Sequence, residues 1–311
     1  MTTQTKPVKL DIEESDSLKA RTLRGDVWRQ FRKHKLAIGG TIILFIVIFM
    51  VLFGPYFWTV SPVDPNLVER YSGMTAGHPF GTDNLGRDTL ARCIYGGRVS
   101  LAIGVTSMAI AMSLGTLVGI LAGYYKRLDS ILMRLTDLFL SLPLLPLLLV
   151  IMLLFRDSLR TAFGPEMGIF MLTVSVIGML GWMPTARLVR GEVLSVKERE
   201  FVVAARSVGA SDLRIVFNHV LPNVLSPVMV AATFSVASAI ITESALSFLG
   251  LGFPPDFPTW GRLLYDGQNY MTLTPLIVFW PGLLISVTVL CINFIGDGLR
   301  DALDPRLRGS D

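Results

Sequence analysis

The sequence predicts an all-α integral membrane protein with six transmembrane helices. Three features carry that expectation: long apolar runs, a thin supply of charge, and basic residues gathered between alternate runs. Apolar residues make up 51% of the 311 positions and charged residues 17%, against about 25% charged in an average soluble domain. Mean hydropathy is +0.56. A soluble chain of this length would need a charged skin around its core. Here the apolar residues are bunched instead, and each bunch is near the roughly 20 residues that cross a bilayer as a helix.

The elements follow in chain order. Residues 1–20 are polar and read as a disordered leader. Over 21–35, Leu23, Val27, Trp28 and Phe31 fall near helical spacing among basic residues. That pattern predicts an amphipathic helix on the inner membrane surface, with a frayed basic leader as the alternative. The first span is Leu36–Phe57, followed by an outer loop over 58–99. A core of five spans occupies 100–296: Ser100–Tyr124, Ile131–Phe155, Met167–Thr185, Val224–Leu249 and Leu276–Gly296. A cytoplasmic tail, 297–311, closes the chain. Pro143 and Pro146 fall in the third span and Pro281 in the sixth, where proline removes a backbone donor and bends a helix. Such bends can hinge, although static kinks are the commoner outcome.

Charge sets the orientation. Arg21, Arg24, Arg29, Arg32, Lys33 and Lys35 precede the first span, and Lys126 and Arg127 sit at the turn between the second and third. Arg187, Arg190, Lys197, Arg199, Arg206 and Arg214 lie between the fourth and fifth, and Arg300, Arg306 and Arg308 near the end. The positive-inside rule places both termini and the 200–223 loop in the cytoplasm. Arg87, Arg92 and Arg98 pull the other way, but they stand in a long outer loop, where the rule weakens.

Composition also excludes. The net charge of +4 comes without a basic stripe interleaved with aromatics, which argues against nucleic acid as a partner. Membrane lipid is the expected surroundings. Cys93 and Cys291 form neither a disulfide framework nor a metal cluster, and His34, His78 and His219 are scattered. Asp83, Asn84 and Asp88 do not follow a calcium loop, and Thr82 or Asp83 reads as the cap of a short helix. No lysine follows a glycine, so no phosphate-binding P-loop is present, and no nucleophile–base–acid set stands out.

The stretch Glu200–Asn223 has two halves. In the first, Phe201, Ala204, Ala205 and Val208 share a helical face of mostly small residues, which admits another backbone closely. Gly209 suits the left-handed C-cap that ends a helix, and Ser211 the N-cap of the next. In the second half, Leu213, Val216, Phe217, Val220 and Leu221 form an apolar stripe. Pro222 is expected to break the chain before the fifth span. These features describe a protrusion of two short helices, and composition alone leaves open whether it packs on its own bundle or docks onto another protein.

Glu200, Ala204, Ala205, Gly209, Ile215, Leu221 and Pro222 resemble the EAA loop of ABC importer permeases. The Phe-Val-Val between Glu200 and the alanine pair, and Val220 near the position usually held by Ile, are departures that match the dipeptide and oligopeptide branch. Three further stretches resemble that branch: 78–88 with its continuation 95–101, then 243–252, then 296–306. The likeness runs from about Arg29 to Arg308 and is to the shorter, C-type permease. It implies a type I importer permease in the bacterial cytoplasmic membrane, without its own ATPase site or bound cofactor. It implies a second permease subunit, two ATP-binding subunits carrying ATP and Mg, and a solute-binding protein as partners. It also implies that Glu200, Phe201, Ala204, Ala205, Arg206, Gly209, Ala210 and Asp212 dock onto an ATPase. Peptides lead as substrate, with nickel, glutathione or opine-like solutes as alternatives.

Few ionisable groups lie inside the spans. Glu243 either lines the solute path, with Ser247 beside it, or is a structural carboxylate held by Ser244 and Ser247; an ionised group there is costly unless paired or wet. Arg134 and Asp137, three residues apart, are expected to pair. Asp297 reads as an interfacial anchor of the C-terminal turn. A channel or ion-coupled secondary transporter would instead show ionisable groups clustered at mid-membrane and inverted repeats. Glu243 stands alone and no repeat is evident.

Overall fold

A computed structural model describes residues 23–304. The expected leader over 1–20, Arg21, and Arg306 and Arg308 of the tail lie outside the described residues. Helix α1 (Leu23–Lys33) leads into α2 (Lys35–Phe57), with His34 between them accepting a hydrogen bond at Nδ1 from the Ala37 amide at 3.1 Å. Phe45, Phe49, Phe53 and Phe57 form an exposed ladder along α2, as expected of a face against lipid tails. Pro55 cannot donate to the Val51 carbonyl. Arg98 supplies the missing donor, with Nε 2.9 Å from Val51 O and its guanidinium also 2.8 Å from Leu52 O.

Helix α3 (Thr89–Tyr124) begins at Thr89, well before the expected Ser100. Its first turns are too polar to read as a span, and they are buried against Val51, Gly54, Thr259 and Trp260. Asp88 caps the helix, its Oδ1 accepting from the Ala91 amide at 2.6 Å. The expected cap at Thr82 or Asp83 is thus displaced to Asp88. Asp83 is held in an ion-pair cluster instead.

The expected third span is two helices, α4 (Lys126–Ser141) and α5 (Leu144–Phe163), bent by 86°. Pro143 causes the break. It lacks an N–H, and it drives Leu142 into extended backbone at φ −80°, ψ 137°. Pro146 falls in the first turn of α5, where a missing donor costs nothing. Gly164, at φ +85°, turns the chain into α6 (Pro165–Leu180), which is followed by α7 (Met183–Val196).

Two short helices, α8 (Glu200–Ser207) and α9 (Asp212–Ile215), form the protrusion, and α10 (Leu221–Phe248) follows. Pro222 does not break the chain as expected. A π-helical turn over Val216–Val220 bridges α9 to α10, giving one helical run from Asp212 to Phe248. The wider turn lets the Leu221 amide reach the Val216 carbonyl, and Pro222 enters at the helix start, where its missing donor is tolerated. Helices α11 (Trp260–Gly267) and α12 (Leu276–Leu303) complete the fold. Among the described residues, five helical runs are long and apolar enough to cross a membrane, six with the bent α4–α5 pair counted as one broken span.

Helix α3 is the hub, packing on α7, α10, α6 and α2. Gly115, Gly119 and Gly123 fall one turn apart along its contact with α7. A Cβ on Gly119 would lie 2.6 Å from the Val189 Cβ and 2.7 Å from the Ala186 carbonyl. The helices therefore meet backbone to backbone, the close approach that small residues permit inside membranes.

Candidate functional site

The 200–215 protrusion is built on a buried mount. Val202 and Ile215 are fully buried, and with Val216 and Val220 they join Val189, Val193 and Val196 of α7 in one apolar cluster. Gly209 has φ +86°, and the Ala210 amide reaches back to the Ala205 carbonyl at 3.1 Å, the six-residue closure of a Schellman cap. Ser211 stands at the N-cap of α9, although its side chain makes no capping bond. Above this mount Glu200, Phe201, Ala204, Arg206, Gly209 and Asp212 are exposed, while Ala205 and Ala210 are half-buried. Val208 is 86% exposed and Phe201 42%. The helical face read from the sequence therefore divides: Phe201, Ala204 and Val208 point outward, and Val202, which lay outside that reading, is the buried anchor.

Tyr124, the last residue of α3, ties both halves of the protrusion to the bundle. Its hydroxyl donates to Asp212 Oδ1 at 2.7 Å and lies 3.4 Å from the Arg206 guanidinium, which donates to it. Lys197 Nζ donates to the Gly123 carbonyl at 3.0 Å. Nothing local in the sequence reveals Tyr124, because its partners stand far along the chain. The same holds for Asp137, which binds Arg187 of α7 rather than the expected Arg134, and for Asp129, which takes a two-pronged bond from Arg190 at 2.5 and 2.7 Å.

Glu243 is fully buried in α10. Its Oε1 accepts from Ser247 at 2.7 Å and Thr259 at 2.8 Å, and its Oε2 from Ser100 at 3.2 Å. Ser100 also accepts from the Trp260 amide at 3.2 Å, so one carboxyl group joins α3, α10 and the start of α11. A separate cavity of about 460 Å³ opens beside the α4–α5 break. Phe139 and Leu142 line it from one side, and Ser235, Ser238 and Thr242 of α10 from the other. Glu243 and Ser247 are buried in α10 and do not line this cavity.

The outer segment is locked by charge. Asp83 Oδ2 pairs with Arg87 Nε at 2.7 Å and with Arg92 at 2.6 Å, and Arg92 reaches Asp266 of α11 at 3.1 Å. Asp88 accepts from the Trp58 indole at 2.9 Å and lies 2.7 Å from His78 Nδ1, while His78 Nε2 lies 3.1 Å from Glu69. Phe80 stacks on Trp280 with centroids 3.9 Å apart.

A family model for the binding-protein-dependent transport system inner membrane component matches residues 115–309. The chain belongs to this family. A second model, the N-terminal transmembrane domain of oligopeptide transport permease C, matches residues 22–74. The dipeptide transport system permease protein DppC of Alkalihalophilus pseudofirmus is 39% identical over 91% of this chain and 90% of its own length. The oligopeptide transport system permease protein OppC of Haemophilus influenzae is 38% identical over 96% of this chain and 93% of its own. Among solved structures, a chain of the inward-facing MetNI methionine ABC transporter has TM-score 0.53 at 19% identity, covering 70% of this chain and 96% of that one. The type I importer permease fold implied by the sequence resemblance is thereby shown, as is a multi-pass protein of the bacterial inner membrane. In this family member the matched core holds the α3–α7 pair, the protrusion, and Glu243.

Proposed function

We propose that the chain is the C-type permease of an ATP-driven importer of di- or oligopeptides, forming half of the translocation pore. One observation carries the mechanical part of this reading: an exposed face of small, polar and apolar residues, from Glu200 to Asp212, stands on a buried mount continuous with α7 and α10. A flexible linker could not transmit force; a helix pair anchored by Val202, Ile215 and Tyr124 can. Both termini and this loop face the cytoplasm on the basic-residue pattern. Two ATP-binding subunits, carrying ATP and Mg, dock there at Glu200, Phe201, Ala204, Ala205, Arg206, Gly209, Ala210 and Asp212. A second permease completes the pore, and a solute-binding protein delivers cargo from outside. The chain itself does no ATP chemistry. Closure of the ATPases drives the loop and tilts the spans between two discrete packings.

Peptide as the substrate class rests on the relatives named above as dipeptide and oligopeptide permeases. Glu243 and Ser247 are given a bracing role in this reading, because their polar atoms bond to each other and to Thr259 and Ser100, and both side chains are buried. The cavity face at Ser238 and Thr242 is the better candidate for solute contact.

The test is co-purification with the ATP-binding subunits, followed by ATP-dependent peptide uptake in proteoliposomes. Ala204→Asp and Gly209→Asp each place a charge on the docking face and should abolish both. Intact assembly and uptake in the two variants would defeat the docking assignment.

A further inference from the structure

We infer that Asp129 and Asp137 of α4, through Arg190 and Arg187 of α7, carry the motion of the protrusion to the inner half of the broken span, so that α4 is the element the ATPases swing. The inference rests on the permease reading above and adds positioning residues to it.

Apart from its contact with α3, helix α4 buries little within the chain. Thr136 is its one buried residue, and Leu128, Ile131, Leu135 and Leu138 are exposed along its apolar side. Its polar side faces α7, where Arg190 grips Asp129 with two parallel bonds at 2.5 and 2.7 Å, and Arg187 holds Asp137 at 2.5 Å. The fork-to-carboxylate geometry fixes orientation as well as distance, which a single lysine contact would not. The first pair is about two-thirds buried on the arginine side (34% exposed), whereas Arg187 and Asp137 are over half exposed, so the Asp129 pair is the stronger tie.

Helix α7, in contrast, is a rigid part of the mount. Val189 and Val193 pack into the gaps left by Gly119 and Gly123 of α3, and α7 runs directly into the protrusion. Helix α5 is tethered elsewhere: Arg156 donates to the Gly250 and Gly252 carbonyls, at 3.4 and 3.3 Å, on the outer side of the bundle. The two halves of the broken span are thus held by different partners, α4 by the arginines of α7 and α5 by α6 and the Gly250 and Gly252 carbonyls, with the 86° break at Leu142–Pro143 between them. Phe139 and Leu142 line the cavity there, so a swing of α4 changes the width of that cavity.

The experiment uses the assembled transporter in proteoliposomes and measures peptide taken up per ATP hydrolysed. Asp129→Asn and Arg190→Gln should each assemble and hydrolyse ATP but lower that ratio by about tenfold, a coupling loss in the usual range for linked sites. Asp137→Asn should lower it less. The exchanged pair, Asp129→Arg with Arg190→Asp, should restore much of the ratio. An unchanged ratio in the single variants overturns the inference. So does an exchanged pair that assembles without recovery, or single variants that fail to assemble, which would make the pair a folding contact. A wild-type complex without ATP-dependent peptide uptake would instead defeat the permease reading itself.

Discussion

The Tyr124 hydroxyl and the Asp212 carboxylate meet at 2.7 Å, joining the end of α3 to the second helix of the protrusion. The partners lie at the surface, so the bond is worth about 1 kcal/mol, yet it fixes where the protrusion sits. Tyr124→Phe keeps the ring and removes this bond. Amide exchange over 200–215 should become faster while the spans are unaffected. Unchanged exchange in α8 and α9 would show that the apolar mount alone holds the protrusion.

The α3–α7 contact makes a sharper demand. Gly119→Val would press a branched side chain against Val189 and the Ala186 carbonyl, both already within 2.7 Å of an added Cβ. Neighbouring backbone cannot yield as a side chain tip can, so the helices must separate, at about 1–3 kcal/mol or more. The thermal unfolding midpoint of the detergent-purified chain should drop, whereas Gly39→Ala, where an added Cβ meets nothing within 4 Å, should leave it unchanged.

Those two contacts mark the boundary of what sequence can reveal. The apolar character of the spans and the Gly209 cap are local patterns, and the structure keeps both, whereas the start of α3, the break in the third span and the division of the face at Ala204 depend on contacts distant in sequence. Asp137 shows the limit. Its neighbour Arg134 satisfied the helical spacing rule, but a long arginine from α7 reached it instead, because tertiary proximity outcompetes a local pair worth only a few tenths of a kcal/mol. The Pro143 break was visible as a proline, but not as a bend of 86°, since the angle depends on where α5 is anchored. Pro222 follows the same logic: a π-helical turn, which leaves no mark in hydrophobic periodicity, absorbs it.

Glu243 distinguishes a carboxyl group that braces from one that is transported past. Glu243→Gln keeps the shape and leaves the hydroxyls of Ser100, Ser247 and Thr259 free to rotate and exchange donor and acceptor roles. It should assemble and transport close to wild type. Glu243→Ala opens a cavity and strands those hydroxyls, at about 3 kcal/mol or more, and should lower the unfolding midpoint sharply. A Gln variant that folds normally but loses uptake would return Glu243 to the solute path.

His78 gives the outer segment a pH dependence of definite sign. Burial pulls its pKa down, but the hydrogen bonds and negative charges of Asp88 and Glu69 outweigh it, so the folded value stands above the ordinary 6.5. The folded state therefore favours the protonated ring. Its stabilising effect is complete below about pH 6.5 and is lost as pH rises through the raised folded value. Proteolysis in 58–88, or amide exchange taken relative to its intrinsic base-catalysed rate, should accelerate from about pH 6.5 upward. In His78→Gln, which makes similar bonds without a titrating charge, the profile over that window should flatten. An equally steep rise in the variant would place the titrating group elsewhere.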